Sequence, residues 1–150
     1  IKTIGDSYMC AGGIPTPDPS ATLKMIAASF DIIEYLNKWN EQRASIGLKP
    51  WELRIGIHVG PLVAGVVGKK KYAYDIWGST VNIASRMESA GEPGQVNISS
   101  SVYDIIKNHY DCQYRGKISA KNIGEIDMYF VLNAKETPNH LELARAVSES

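Results

Sequence analysis

Cysteine is nearly absent from the 150 residues, with Cys10 and Cys112 the only two. They are too few and too far apart to form a disulfide framework, and they read as buried thiols of a reducing compartment. Charge of one sign is also missing, because 16 Lys and Arg balance 16 Asp and Glu. That balance excludes a broad basic surface for nucleic acid and leaves room for a local phosphate site. Aromatic residues make up only 9% of the chain, and Lys69 to Lys71 form its one basic cluster, so the stacking sheet of an RNA-binding domain is not indicated. No apolar stretch approaches the roughly 20 residues of a membrane span, and no signal-peptide pattern is visible in these residues. The Gly-x-Ser-x-Gly elbow, the Walker A loop, the HExxH helix and the CxxC pair are all lacking, which removes serine-hydrolase, P-loop and zinc-site chemistry.

What remains is ordinary globular composition, 44% hydrophobic and 21% charged, in a chain long enough for one domain with a real core. Residues 2–4 and 7–11 read as two strands of a hairpin turning at Gly5-Asp6. Asp18 before Pro19 predicts a helix cap, and Leu23, Ile26, Phe30, Ile33 and Leu36 recur at helical spacing, so a helix should run to about Ser45. Leu53 to Val59 alternates as a strand, Leu62 to Val67 and Tyr72 to Trp77 follow as two more, and Lys69 to Lys71 fits a solvated hairpin tip between them. Ser79 is placed to cap a helix from Thr80 to about Ala90. A strand at Gln95 to Ile98, a helix to about His109, and strands at Tyr114 to Ile118 and Ile126 to Leu132 complete the order. Hairpin-length connections between several strands predict an α+β fold with a mainly antiparallel sheet.

A few polar residues stand where chemistry is possible. Asp6 sits in a tight turn, where a carboxylate can hold Mg²⁺ or simply satisfy local amides. Asn82 and Arg86 are four apart on one helix and share a face; Arg offers a planar, permanently charged fork for phosphate, although a plain solvated face has the same spacing. Val81, Ala84 or Ile83, and Met87 are candidates for the buried side, and helical geometry does not choose among them. Asp75, at a strand end, is able to accept from the amino group of a base. Lys2 and Lys121 are possible point charges for a ligand, and His58, alternating with apolar neighbours, reads as structural.

Four stretches together resemble the class III adenylate and guanylate cyclase catalytic domain. The run from Ile1 to Gly13 is similar to its second metal segment, Leu53 to Gly68 to its central hairpin, Tyr74 to Met87 to its signature strand and helix, and Arg115-Gly with Lys121 to Val131 to its closing segment. They cover residues 1 to about 132 in the family's order. The resemblance implies the palm-type, ferredoxin-like cyclase fold. It implies that Asp6 is the second of two aspartates holding two Mg²⁺ or Mn²⁺ ions, and that Lys2 and Asp75 are the pair that reads the purine. Lys with Asp is the adenine set; guanylate cyclases typically carry Glu and Cys. Asn82 then corresponds to the residue that orients the ribose, Arg86 to the one that stabilises charge at the α-phosphate, and Lys121 to the lysine on the outgoing phosphates.

The resemblance thus implies an adenylate cyclase of the homodimeric type, since metal and base-reading residues lie on one chain, with ATP as substrate, sites at the dimer interface and no nucleic acid partner. The alternative is an inactive cyclase-like domain used for dimerisation or regulation. Residues 1–134 are expected to be a partial catalytic domain lacking the first strand and first metal aspartate, and 135–150 a tail or linker. As a fragment it is expected to turn over little ATP. A cytoplasmic location and an upstream sensor or membrane module in the full-length protein are also expected. One departure stands out: the phosphate segment reads Lys121-Asn-Ile-Gly where the family usually has Lys-Gly-Lys-Gly, so a second positive charge and a flexible glycine are missing.

Overall fold

The computed structural model describes residues 2–136. Along the chain lie β1 (Lys2–Ile4), β2 (Ser7–Met9), α1 (Ala21–Ser45), β3 (Ile55–Ile57), β4 (Val63–Val67), β5 (Ala73–Trp77), α2 (Ser79–Ser89), β6 (Val96–Ser99), α3 (Ser100–Ile106), β7 (Tyr110–Ala120) and β8 (Gly124–Ala134). The expected tail falls outside the described residues except for Lys135 and Glu136; the Lys135 amide donates to His109 at 2.8 Å. No helix among the described residues is long and apolar enough to cross a membrane.

The main sheet has the order β3-β6-β8-β7, while β1-β2 and β4-β5 are separate hairpins. The architecture is α+β and mainly antiparallel, as expected, with one parallel pair where β3 runs alongside β6. Strand β6 is buried throughout, and its alternation builds both sides of the core. Val96 and Ile98 join Ile26 of α1 and Val102 and Ile106 of α3 in one apolar cluster. Asn97 points the other way, to Met87 of α2 and Met128 of β8. Each fully buried Ile contributes about 1.5–3 kcal/mol. The sheet is therefore covered by α1 and α3 on one face and by α2 on the other. Helix α2 comes so close that a Cβ on Gly56 would sit 2.0 Å from the Glu88 backbone nitrogen, so only glycine fits beneath the helix there. Of the candidates for its buried side, Ile83 and Met87 are buried, together with Thr80.

Several local expectations change. Helix α1 starts at Ala21, with Ser20 at the cap position; Asp18 acts two residues before that cap, its carboxylate accepting from the Ser20 amide at 2.9 Å and hydroxyl at 2.6 Å. The Lys24 ammonium, and then those bonds, hold its carboxyl down at about 2. Ser79 lies inside α2, whose cap position is Gly78 with a left-handed φ of 128° and no side-chain cap bond. Helix α3 ends at Ile106, short of His109, and β7 and β8 each extend to 11 residues. Cys10, expected to be buried, is exposed, because it follows the edge strand β2; Cys112 is half-buried, and neither forms a disulfide. His58 does behave structurally: Nδ1 lies 2.7 Å from the Ser99 hydroxyl, and burial lowers its pKa.

Candidate active site

Strand β5 hands the chain to α2 through Trp77-Gly78, and β7 returns to β8 through a tight turn at residues 121–123. These two junctions face each other across an open cleft of about 1050 Å³, lined by Lys2, Trp77, Ser79, Asn82, Arg86 and Lys121, among others. Helical spacing explains much of that wall. Ser79 and Arg86 stand three before and four after Asn82, so all three share the cleft face. Ser79, Ser85, Trp77 and Ile123 also line the cleft and were not singled out from sequence; the same spacing around Asn82 picks out the two serines.

At one end, Lys2 Nζ lies 2.9 Å from each carboxylate oxygen of Asp75. The Ile76 amide adds a bond to Oδ1 at 2.8 Å. Lys2, and then that amide, hold the Asp75 carboxyl below its ordinary value. A lowered carboxyl pKa means that the pair is intact across the neutral range and lost only as pH falls through the lowered value. With side-chain exposures of 39% and 18%, the pair is too solvated to stabilise the fold much. Its interest is chemical: one donor and one acceptor stand together at the cleft, 73 residues apart in sequence.

At the other end, Arg86 Nη2 donates to the Ser119 carbonyl, placing its guanidinium beside the β7–β8 turn. Lys121 opens that turn, exposed and in no ion pair among the described residues. Asn122 takes φ 66°, the only non-glycine left-handed residue among those described. Asn tolerates that conformation better than other side chains, so the turn keeps its shape without the family's usual glycine. The missing charge is not replaced, because Ile123 stands there, 47% exposed.

Asp6 stands apart. It lies in the β1–β2 turn, exposed, and is not among the residues lining the cleft. Among the described residues, no three His, Cys, Asp or Glu side chains gather closely enough to hold a metal ion. Five of the six expected site residues thus meet at one cleft, Asp75 through its bond to Lys2, and the sixth does not.

Comparisons with known proteins bear on the family and the fold. The family model for the adenylate and guanylate cyclase catalytic domain matches residues 1–133. An adenylate cyclase of Mycobacterium bovis is 36% identical over 135 residues, 90% of this chain and 30% of that protein. The guanylate cyclase soluble subunit beta-2 of Rattus norvegicus is 39% identical over 140 residues, 91% of this chain and 20% of that protein. The chain thus spans less than a third of either relative. Among solved structures, the catalytic core of a rhodopsin-guanylyl cyclase with converted specificity, in complex with ATPαS, matches with a TM-score of 0.78 and 34% identity, over 88% of this chain and 70% of that one. Relatives of both nucleotide specificities match about equally well. On the match to residues 1–133 and the shared fold, the chain belongs to the adenylate and guanylate cyclase catalytic domain family.

Proposed function

We propose that residues 1–134 are part of the catalytic domain of an adenylate cyclase that converts ATP to 3′,5′-cyclic AMP and pyrophosphate. The observation that carries the choice of base is the Lys2–Asp75 pair at the cleft. Adenine offers an acceptor at N1 and a donor at its exocyclic amine, which a lysine and an aspartate match. Guanine offers a donor and an acceptor at the same edge, so both protein groups would be left unpaired, which is costly. The structural relative with bound ATPαS supports the reading, in that a cyclase core of this fold holds an adenine nucleotide.

In this reading the base exchanges into the Lys2–Asp75 pair, and Asn82 positions the ribose. Its 3′-oxygen then bonds to the α-phosphorus as the bond to the bridging oxygen of pyrophosphate breaks, with the hydroxyl proton passing to solvent. Arg86 supplies preorganised positive charge where negative charge develops, and Lys121 binds the departing phosphates. Asp6 is a hard oxygen donor with no ion pair among the described residues, which suits Mg²⁺ or Mn²⁺ shared with phosphate oxygens. Such ions would supply charge neutralisation and acidify the hydroxyl when bound. Because Asp6 lies outside its own chain's cleft, we assign it to the cleft of a second copy, giving a two-fold homodimer with two equivalent sites.

The test is turnover of the full-length protein carrying this chain, with Mn²⁺ and either ATP or GTP. Cyclic AMP with stoichiometric pyrophosphate, and far slower cyclic GTP formation, is the expected result. Equal rates with both would overturn the base assignment. Nucleotide binding without turnover would move the protein to the inactive regulatory reading.

A further inference from the structure

The last turn of α2 is held by side chains from two different strands. Asn97 on β6 is fully buried, and its Nδ2 donates to the Met87 carbonyl at 2.8 Å. Arg115 on β7 donates from Nη1 to the Ala90 carbonyl at 2.7 Å and to Asn97 Oδ1 at 3.1 Å. The Arg115 guanidinium also lies 3.9 Å from the centroid of the Phe130 ring. Carbonyls at a helix end are ordinarily left to water or to a backbone turn. Here two of them are joined to the sheet through one connected network, in which no buried side-chain nitrogen or oxygen lacks a partner among the described residues.

We infer that Asn97 and Arg115 are positioning residues for Arg86. The inference rests on the proposed role of Arg86 at the α-phosphate. Arg86 immediately precedes Met87, so fixing the Met87 carbonyl fixes the direction in which Arg86 leaves the helix. Arg115 then sets the scale of the cleft. It belongs to β7, the strand whose far end presents Ser119 to Arg86 and leads into Lys121. One strand therefore holds the end of α2 and forms the opposite wall, so the separation of Arg86 from Lys121 is set through Arg115. The close approach of α2 to Gly56, which reaches the Met87 carbonyl carbon, and the Arg54–Glu88 ion pair at 3.0 Å hold the turn against β3, but neither hydrogen-bonds the Met87 or Ala90 carbonyl oxygen, as Asn97 and Arg115 do. Misplacing a reacting group by about 1 Å can cost roughly a hundredfold in rate.

The experiment uses Asn97→Leu and Arg115→Lys in the full-length protein, each alone and combined with Arg86→Ala. Leucine fills similar space and removes both bonds; lysine keeps the charge but cannot span both acceptors. In either variant kcat should fall roughly tenfold to a hundredfold while the KM for ATP stays nearly constant, and in the Arg86→Ala background neither should lower kcat further. A purely structural role would lower kcat by the same factor in both backgrounds, and that result overturns the inference. So does unchanged kcat in Arg115→Lys, whose partly exposed side chain keeps the test open should Asn97→Leu fail to fold. If Arg86→Ala itself retains full turnover, the reading of Arg86 has failed instead, and the positioning role falls with it.

Discussion

Replacing Arg86 by alanine is expected to lower kcat by roughly a hundredfold to a thousandfold, with a much smaller change in ATP affinity. In the free chain its guanidinium is bonded to a neutral acceptor, the Ser119 carbonyl. A phosphate oxygen gaining negative charge is a better partner than a neutral carbonyl, because opposite charges then meet across the bond and the guanidinium fork can engage two oxygens at once. The contact therefore strengthens as the reaction proceeds, and an interaction of that kind appears in kcat rather than in KM. Arg86→Lys should recover part of the loss, since it keeps the charge and loses the planar fork. Steady-state kinetics with ATP, alongside calorimetric binding of a non-reactive analogue, separates the two quantities. An equal loss in turnover and binding would sink the role.

The second large effect is on choice of base. Lys2→Glu combined with Asp75→Cys should abolish the preference for ATP over GTP, a change in the ratio of kcat/KM values of at least about tenfold. Both positions must change together. Either single variant leaves one partner of the 2.9 Å pair without its mate, so it should weaken binding of both nucleotides without reversing the order. Cyclic nucleotide formation from equimolar ATP and GTP measures the ratio directly. An unchanged ratio in the double variant would show that the base is read elsewhere in the cleft.

The sequence carried the element order well and the ends of elements poorly. In β7 and β8 the alternating apolar centre was visible, but Tyr110 to Gln113 and Asn133 to Ala134 were not: Tyr110 and Cys112 do alternate onto the core, but the run is short and a register shift between Asp111 and Cys112 sets it off from the rest of the strand. A register shift between Tyr114 and Gly116 also interrupts the alternation within β7. The parallel pairing of β3 with β6 was hidden for another reason: two strands and a helix intervene, and nothing local records which strands meet. Cys10 misled because thiols are usually buried, whereas its surroundings at a two-stranded edge leave it open. For the site, helical spacing placed Asn82 and Arg86 on one face without help. The meeting of Lys2 with Asp75 came only from the family resemblance, since no spacing rule joins residues 73 apart. Asn97 was missed altogether. It lies in a strand that reads as plain core, and its partners are carbonyls, which every residue has.

The turn at Asn122 has a consequence for how ligand arrives. It keeps the backbone path while Ile123 takes the place of a charge, and the Lys2 charge is already matched by Asp75. Among the described residues lining the cleft, that leaves Arg86 and Lys121 as cations with no acidic partner, in a chain of zero net charge. Strong charge fields gather an oppositely charged ligand from solution, raising association rates by roughly 10–10³-fold, an advantage that salt removes. With only two such charges, the gain should sit near the low end. Stopped-flow association of a nucleotide triphosphate should then slow by less than about tenfold from low to physiological salt, and a steeper fall would reveal a stronger field than these residues supply. Selection at this cleft would happen after encounter, through the fit of the base and the placement of one arginine, rather than through the reach of its electrostatics.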